Sequence, residues 1–229
     1  QGSFAGNGTV GLAVAHHGSN NMIAFRYRLK DLPMRIAEKS FSAEGVEFPA
    51  GSFLIADGTA AARAKTVALE LGLSGAALAA LPTVPTHDAE LPRIAIYSQW
   101  SGTQNLGWYR LTLDAFGVPY DLVYKEQLGL GSLRTKYDVI LIAEQGLSRT
   151  AVMQKPNEKP VPYRKSEKYQ FLGMYGESDD ISGGFQQKGV DAFGAFLEAG
   201  GTLIAVGEAA RLPIDFGWAG TVEKTTVAG

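Results

Sequence analysis

The sequence predicts an α/β protein, with a doubly wound parallel sheet preceded by a β-rich N-terminal segment. Before residue 82, apolar residues fall mainly in short runs separated by turn residues, which is typical of β-strands. After residue 88, apolar runs alternate with helical patterns, which indicates a parallel sheet with helices on both faces. Residues 82–88 contain two prolines and are predicted to be a linker. We therefore expect a β-rich segment with one helix over residues 1–85 and an α/β domain over residues 86–229.

The N-terminal segment has one strong alternating pattern and one strong helical pattern. Ile23, Phe25, Tyr27 and Leu29 occupy every second position of residues 22–29, which predicts a half-buried strand. Residues 60–71 predict a helix that ends at Gly72, since glycine readily adopts the left-handed conformation of a helix C-terminus. The other predicted strands are residues 10–15, 35–41, 46–48, 52–56 and 76–81, with a hairpin turn at residues 42–45.

The C-terminal domain is predicted from four apolar strands and two helices. Residues 137–143 are uniformly apolar, so we expect this strand in the middle of the sheet, and residues 202–206 are predicted to be a buried strand. Residues 147–182 match no element, and a polar segment of this length is usually a lid, a binding surface or partly disordered. The remaining predictions are strands at residues 93–97 and 120–124 and helices at residues 104–116 and 185–199.

Composition excludes several functional classes. The 229 residues carry a net charge of −2, which offers no basic surface for nucleic acid. The sequence has no cysteine, which excludes disulfides, thiolate nucleophiles and cysteine-ligated metals. No apolar run approaches the roughly 18 residues of a membrane helix, so no membrane span is expected.

The common catalytic motifs are missing. The three histidines are His16, His17 and His87, and none forms the two-histidine helical motif of zinc hydrolases. Adjacent histidines on a strand point to opposite sides, which favours a turn or interface role for His16 and His17 over metal binding. The sequence has neither a Gly-x-Ser-x-Gly elbow nor a phosphate-binding loop ending in Lys-Ser or Lys-Thr. We expect no cofactor in this chain.

Candidate ligand residues lie where the predicted strands end. In doubly wound sheets the binding crevice lies at the carboxyl ends of the strands. Three carboxylates in such positions could share a cleft and raise one another's pKa, although acids at strand ends are often helix caps or solvated rim charges. The candidate ligand-binding residues are Gln99, Trp100, Gln104, Glu126, Glu144 and Glu208.

The C-terminal domain resembles the class I glutamine amidotransferases, whose flavodoxin-like sheet presents a nucleophile in a sharp turn after a buried strand. Residues 202–212 (TLIAVGEAARL) are similar to that strand, turn and helix, and Gly207 falls at the position of the family's cysteine. Glycine has no side chain to attack an amide. The family's later His-x-Glu pair is also missing, since no histidine follows His87. The resemblance implies an amidotransferase fold without amidotransferase chemistry.

A second resemblance covers almost the whole chain. Five segments are similar, in the same order, to regions downstream of the catalytic domain in large bacterial zinc carboxypeptidase-like proteins. They are residues 25–31 (FRYRLKD), 48–53 (FPAGSF), 85–88 (PTHD), 100–108 (WSGTQNLGW) and 183–190 (GGFQQKGV). That family's His-x-x-Glu zinc motif has no counterpart here, because Ser19 and Asn20 stand three positions after the paired histidines. The resemblance implies that zinc binds upstream in the parent protein, and no catalytic residue is carried over.

These resemblances imply an accessory domain of a periplasmic or secreted peptidase. The chain begins with Gln1 and not with methionine, and we expect it to be a piece of a longer protein. Its expected role is to pack on or shape the upstream peptidase domain. One alternative is a module that binds a peptide, a sugar or a cell-wall fragment at the strand ends. Another is a hydrolase that uses Glu126 and Glu208, which requires carboxyl groups within about 10 Å.

Overall fold

The protein is α/β and contains both mixed and parallel sheets. The structure, a computed structural model, describes residues 2–172, 175–222 and 225. The backbone divides into two compact units, Gln1–Leu91 with Thr112–Val118, and Pro92–Leu111 with Pro119–Gly229.

The first unit is built on a six-stranded sheet and a separate hairpin. Its described elements are β1 (Phe4–Ala5), β2 (Gly11–Val14), α1 (Asn21–Arg28), β3 (Arg35–Ala37), β4 (Phe41–Ala43), β5 (Val46–Phe48), β6 (Phe53–Ile55), α2 (Gly58–Glu70), β7 (Gly75–Leu78) and β8 (Thr86–Asp88). The sheet order is β1-β7-β2-β6-β3-β8, in which β1 and β7 are parallel and the other pairs are antiparallel. Strands β4 and β5 form the predicted hairpin, which turns at Glu44 and Gly45 with positive φ.

Helix α2 confirms the helix predicted before Gly72. The Asp57 carboxylate accepts hydrogen bonds from the backbone N–H groups of Thr59 and Ala60, at 2.8 and 3.1 Å, and so caps the first turn. Gly72 has a φ of +70° and ends the helix in the left-handed conformation. Small buried alanines on one face let this helix pack on β2.

The strand predicted for residues 22–29 is wrong, because Asn21–Arg28 form helix α1. Met22, Phe25 and Leu29 are buried at helical spacing, whereas Ile23 is 46% exposed. The apolar residues of this segment satisfy both a period of two and a helical period. The helix buries the Phe25 ring beside Phe53, with ring centroids 5.9 Å apart. Residues 1–85 therefore contain two helices and not one.

The prediction that residues 82–88 form a linker is wrong for the last three of these residues. Thr86–Asp88 form β8, the edge strand that pairs with β3 in the register Arg35↔Asp88. The Arg35 guanidinium secures this pair by donating to the Thr86 hydroxyl and to the Asp88 carboxylate, at 2.6 and 2.7 Å. A polar, proline-flanked run can join a sheet at its edge, because only one side of the strand then needs backbone partners.

A four-stranded parallel sheet forms the centre of the second unit. The described strands and α-helices of this half of the chain are β9 (Ile94–Tyr97), α3 (Gln104–Ala115), β10 (Asp121–Val123), α4 (Lys125–Leu128), β11 (Val139–Ile142), α5 (Arg149–Val152), α6 (Gln186–Glu198), β12 (Thr202–Ala205) and α7 (Arg211–Asp215). Short 3-10 helices are formed by Leu133–Thr135 and Gly207–Ala210. The strand order is β10-β9-β11-β12. The prediction that residues 137–143 lie inside the sheet is confirmed, since β11 has a neighbour on each side.

Strand β12 is less buried than its sequence predicts. It lies at the edge of the sheet, and Thr202 and Ile204 are exposed on one face, Ile204 to 45%. Leu203 and Ala205, on the other face, pack against the core of this unit. The apolar composition indicated a strand covered on both faces, whereas only one face is covered in the described residues.

The core beneath the parallel sheet contains an aromatic cluster. Tyr97 at the end of β9 makes edge-to-face contacts with Phe185 and Phe193, at centroid distances of 5.5 and 6.0 Å. Phe193 and Phe196 of α6 are almost completely buried against the sheet. This helix therefore fixes the ring that lies below the carboxyl end of β9.

Candidate functional site

The carboxyl ends of the four parallel strands lie at one edge of the sheet. The chain leaves β9 at Ser98, β10 at Tyr124, β11 at Ala143 and β12 at Val206. Because all four strands run in the same direction, the segments that follow them converge there. This edge holds most of the residues that the sequence singled out.

Trp100 and Glu126 form the firmest contact at this edge. The Trp100 Nε1–H group donates to both oxygens of the Glu126 carboxylate, at 3.0 and 3.2 Å. The indole stacks on the Tyr124 ring, with centroids 4.2 Å apart and planes inclined by 16°. An indole that is stacked on one side and hydrogen-bonded at its nitrogen is held in one orientation. Trp100 is therefore built into the framework.

Glu126 also anchors the long segment formed by residues 147–182. The Ser178 hydroxyl donates to Glu126 Oε1 at 2.6 Å, and Ser178 is buried. Ser178 pairs with Tyr163 through two backbone hydrogen bonds of 2.8 and 2.9 Å. The Tyr163 ring lies 5.4 Å from Trp100. The outgoing and returning parts of the segment are thereby tied to each other and to the sheet edge.

Asp180 organises the return of this segment. One carboxylate oxygen accepts hydrogen bonds from the Ser182 hydroxyl, the Ser182 N–H and the Val161 N–H, at 2.6, 2.9 and 3.0 Å. The Ser182 hydroxyl, these backbone donors and the charge of Lys125 lower the pKa of Asp180 to about 2. Asp180 is therefore ionised at neutral pH, and it accepts its hydrogen bonds from within the segment.

Gln145 bridges the ends of β9 and β11, which are neighbours at the switch point where the order of the parallel strands reverses. Its Nε2–H group donates to the Tyr97 carbonyl at 3.0 Å, and its Oε1 accepts from the Gln99 N–H at 3.2 Å. The Gln99 side chain in turn donates to the Gly146 carbonyl at 3.3 Å. Sequence reasoning did not select Gln145, although its position directly after a buried strand was a usable signal.

A cavity of about 270 Å³ opens beside this bridge. Its buried lining combines apolar residues such as Val152 and Phe185 with the polar Ser98, and Gln154 and Asn157 form an exposed polar rim. Lys125 is the one charged residue that lines this cavity among the residues described. Concave sites next to the strand ends of such sheets are where small molecules are usually bound.

A wider cleft of about 600 Å³ lies next to the cavity and shares Lys125 with it. Its lining mixes the cations Lys125 and Arg164 with the carboxylates of Glu126, Glu177, Asp179 and Asp180. Arg164 and Asp179 form an ion pair with each other. The cleft is open to solvent, and much of its charge is compensated internally.

The six candidate ligand residues are not gathered around one cavity. Gln99 and Trp100 line the cavity, and Glu126 lines the cleft. Gln104, Glu144 and Glu208 line neither of them. Gln104 is exposed at the start of α3, and Glu208 pairs with Arg211 at 3.5 Å.

Glu126 and Glu208 lie far apart for a catalytic carboxylate pair. Glu126 follows β10 and Glu208 follows β12, and these strands are the opposite edges of the sheet. Three strand spacings of about 4.8 Å separate the two strands by roughly 14 Å. This spacing does not favour the paired-acid hydrolase, whose carboxyl groups act within about 10 Å.

The turn after β12 leaves little room for a side chain beside Glu144. Gly207 has a φ of +59°, and a Cβ atom built on it would lie 2.8 Å from Glu144 Cγ. Any residue other than glycine would meet both an unfavourable backbone conformation and the Glu144 side chain. The position that resembles the amidotransferase nucleophile is thus crowded by the Glu144 side chain.

The three histidines belong to the first unit. His16 and His17 are exposed, and the backbone N–H of His16 donates to the Ser52 hydroxyl at 3.1 Å. His87 Nδ1 lies 3.2 Å from Glu38 Oε1 on the exposed β8 edge. Within residues 2–172, 175–222 and 225, no group of three or more His, Asp or Glu side chains is placed to hold a metal ion.

Comparisons with protein-family models, curated proteins and solved structures gave no match. Among the helices of the described residues, none has both the length and the apolar character needed to cross a bilayer. The functional assignment therefore depends on the geometry of the sheet edge and on the resemblances in the sequence.

Proposed function

We propose that this chain is a non-catalytic, amidotransferase-like domain that serves as an accessory part of a zinc carboxypeptidase-like protein. The observation that carries the proposal is the turn at Gly207. A nucleophile needs a side chain at this position, and the Cβ atom of such a side chain would lie only 2.8 Å from Glu144 Cγ. The turn keeps the positive φ of a sharp strand-to-helix elbow while holding no reactive group.

The strand order supports a flavodoxin-like fold for the second unit. Numbered along the chain, β9, β10, β11 and β12 are arranged in the order 2-1-3-4, and all are parallel. Flavodoxin-like sheets have the order 2-1-3-4-5. The four described strands fit the first four positions of that order.

The parentage is supported by the five ordered segments of the sequence. Two of them, residues 100–108 and 183–190, contribute Trp100, Gly183, Gly184 and Phe185 to the lining of the cavity. In this proposal the zinc belongs to an upstream peptidase domain in the periplasm or outside the cell, and this chain packs on or shapes that domain.

Two experiments test the proposal. The purified chain should release no ammonia from glutamine above the rate of a Gly207→Ala variant, and glutamine hydrolysis above that rate would overturn the non-catalytic assignment. The reading frame upstream of Gln1 should encode a His-x-x-Glu motif with a distant histidine. An unrelated upstream domain would refute the peptidase parentage without affecting the first result.

A second candidate function, ligand binding, is favoured by the cavity at the switch point of the sheet. The carboxyl ends of β9 and β11 are where doubly wound sheets bind ligands, and Gln99 and Trp100 line a cavity there. A peptide, a saccharide or a cell-wall fragment that enters it should raise the melting temperature of the chain. Changing Trp100 to Ala should abolish that shift, whereas changing the exposed Trp108 to Ala should not.

A further inference from the structure

We infer that the cavity of about 270 Å³ binds a small monocarboxylate, with Lys125 as its counterion and the Tyr97 hydroxyl as a hydrogen-bond donor. This inference rests on the ligand-binding candidate and names the chemistry of its ligand.

The first support is a half-buried cation that forms no ion pair at contact distance in the described residues. The Lys125 ammonium donates to the Ser182 carbonyl, which uses one of its three protons. Among the described residues, no carboxylate lies within ion-pair distance of Lys125. The nearby Asp180 carboxylate already accepts hydrogen bonds from Val161 and Ser182. A partly buried cation is costly unless it is paired, so an anion that enters the cavity is stabilised there.

The second support is a hydroxyl without a hydrogen-bond partner among the described residues, on a largely buried residue in the wall of the cavity. Tyr97 is 3% exposed and lines the cavity, yet its hydroxyl makes no hydrogen bond within the described part of the chain. Buried polar groups are nearly always hydrogen-bonded. Burial and, secondarily, the charge of Glu126 raise the pKa of Tyr97 above its ordinary value, so the phenol keeps its proton and can donate. A ligand oxygen would satisfy this donor.

The remaining residues that line the cavity determine the size and the charge of the ligand that it can hold. No carboxylate lines the cavity among the described residues, so no wall residue directly repels an anion. Val152, Leu147 and Phe185 are buried and apolar, which suits a short apolar group attached to the carboxylate. Sites for drug-sized ligands span about 300–1,000 Å³, so this cavity fits only a small molecule. We therefore expect a compact monocarboxylic acid.

Isothermal titration calorimetry with matched acids and amides tests this inference. The probes are N-acetylglycine against N-acetylglycinamide, and benzoate against benzamide. Each acid should bind about tenfold or more tightly than its amide, because the acid gains a charge-assisted hydrogen bond to Lys125. Lys125→Met should remove this preference, and Lys136→Met, which changes an exposed lysine outside the cavity, should retain it.

Tyr97→Phe gives an independent test that does not depend on the lysine. Because this hydroxyl has no partner in the described residues, the variant should unfold at the same urea concentration as the parent chain or at a higher one. It should nevertheless bind the acids several-fold more weakly. Equal affinity for acids and amides would overturn the inference while leaving ligand binding in place. A failure of all four probes to bind at millimolar concentration would overturn both.

Discussion

The indole N–H of Trp100 donates to both carboxylate oxygens of Glu126, although the two residues are 26 positions apart in the chain. The same carboxylate accepts a hydrogen bond from the buried Ser178 hydroxyl. One side chain therefore joins three segments, namely the loop after β9, the start of α4 and the return of residues 147–182. Glu126 acts as a structural clamp at the edge of the candidate site.

Replacing Glu126 by Ala should lower the free energy of unfolding by about 1–3 kcal/mol, because the Trp100 N–H and the Ser178 hydroxyl lose their acceptor. Urea unfolding followed by circular dichroism measures this change. The control is Glu158→Ala, since Glu158 is exposed and has no side-chain partner in the described residues. If both variants unfold at the same urea concentration, the clamp contributes nothing to stability.

The sequence predicts which residues reach this edge but not how they pair. Trp100 and Glu126 both follow apolar strands, and parallel strands bring such positions together. Their hydrogen bond depends on side-chain rotamers and on Ser178, which comes from a segment without any periodic pattern. Glu144 and Glu208 carried the same signal, yet they lie away from the cavity. A residue that directly follows a strand can be predicted to lie at the edge of the sheet, but the direction of its side chain cannot be predicted from that position.

The fold was predictable where one pattern dominates. Helix α2 has apolar residues at helical spacing and a glycine after its last turn, and it was predicted correctly. Strand β11 was also predicted correctly, because it is too apolar for a position exposed to solvent. Residues 86–88 are polar and follow prolines, and only their pairing with β3 makes them a strand. That pairing is a property of the assembled sheet, which no local pattern encodes.

Replacing Gly207 by Ala should destabilise the chain more than replacing Gly200 by Ala. Both glycines have positive φ, which costs another residue about 1–2 kcal/mol. A Cβ on Gly200 would meet nothing within 4 Å, whereas one on Gly207 would lie 2.8 Å from Glu144 Cγ. The excess cost at Gly207 is therefore steric.

A double-mutant cycle isolates this steric part. Adding Glu144→Ala to Gly207→Ala should recover the excess destabilisation, because residues in contact do not behave additively. Urea unfolding of the single and double variants gives the coupling energy. Strict additivity would show that Glu144 does not occupy the space beside Gly207.

Asp138 should make the stability of the second unit depend on pH. Its carboxylate accepts hydrogen bonds from the Arg93 guanidinium and backbone N–H and from Arg134 Nη1, at distances of 2.5 to 2.9 Å. The Arg93 guanidinium, followed by the Arg93 backbone N–H and then by Arg134, holds the pKa of Asp138 well below its usual range. Because the pKa of Asp138 is lower in the folded than in the unfolded chain, its ionised carboxylate stabilises the fold. The stabilisation is complete above the unfolded-state pKa of about 3.9 and is lost as the pH falls through the folded-state pKa.

Asp138→Asn should therefore lower the free energy of unfolding by about 1 kcal/mol at neutral pH, since the network is partly exposed and screened by solvent. The difference from the parent chain should shrink steadily below about pH 4. Urea titrations between neutral and acidic pH follow this change, with Glu158→Gln as the reference variant. A difference that stays constant over this range would exclude the ionised carboxylate as its cause.

Met22 and Ile23 distinguish the helix α1 from the strand that the alternating pattern suggested. A strand would place Ile23 on the same buried face as Phe25, whereas the helix buries Met22 at 4% exposure and leaves Ile23 46% exposed. Met22→Ala should cost about 2–5 kcal/mol of unfolding free energy, because it opens a cavity in the core. Ile23→Ala should change it by about 0.5 kcal/mol or less, as expected for a surface position. Urea unfolding of the two variants distinguishes the helix from the strand. A larger loss of unfolding free energy for Ile23→Ala than for Met22→Ala would contradict the helix and favour the strand.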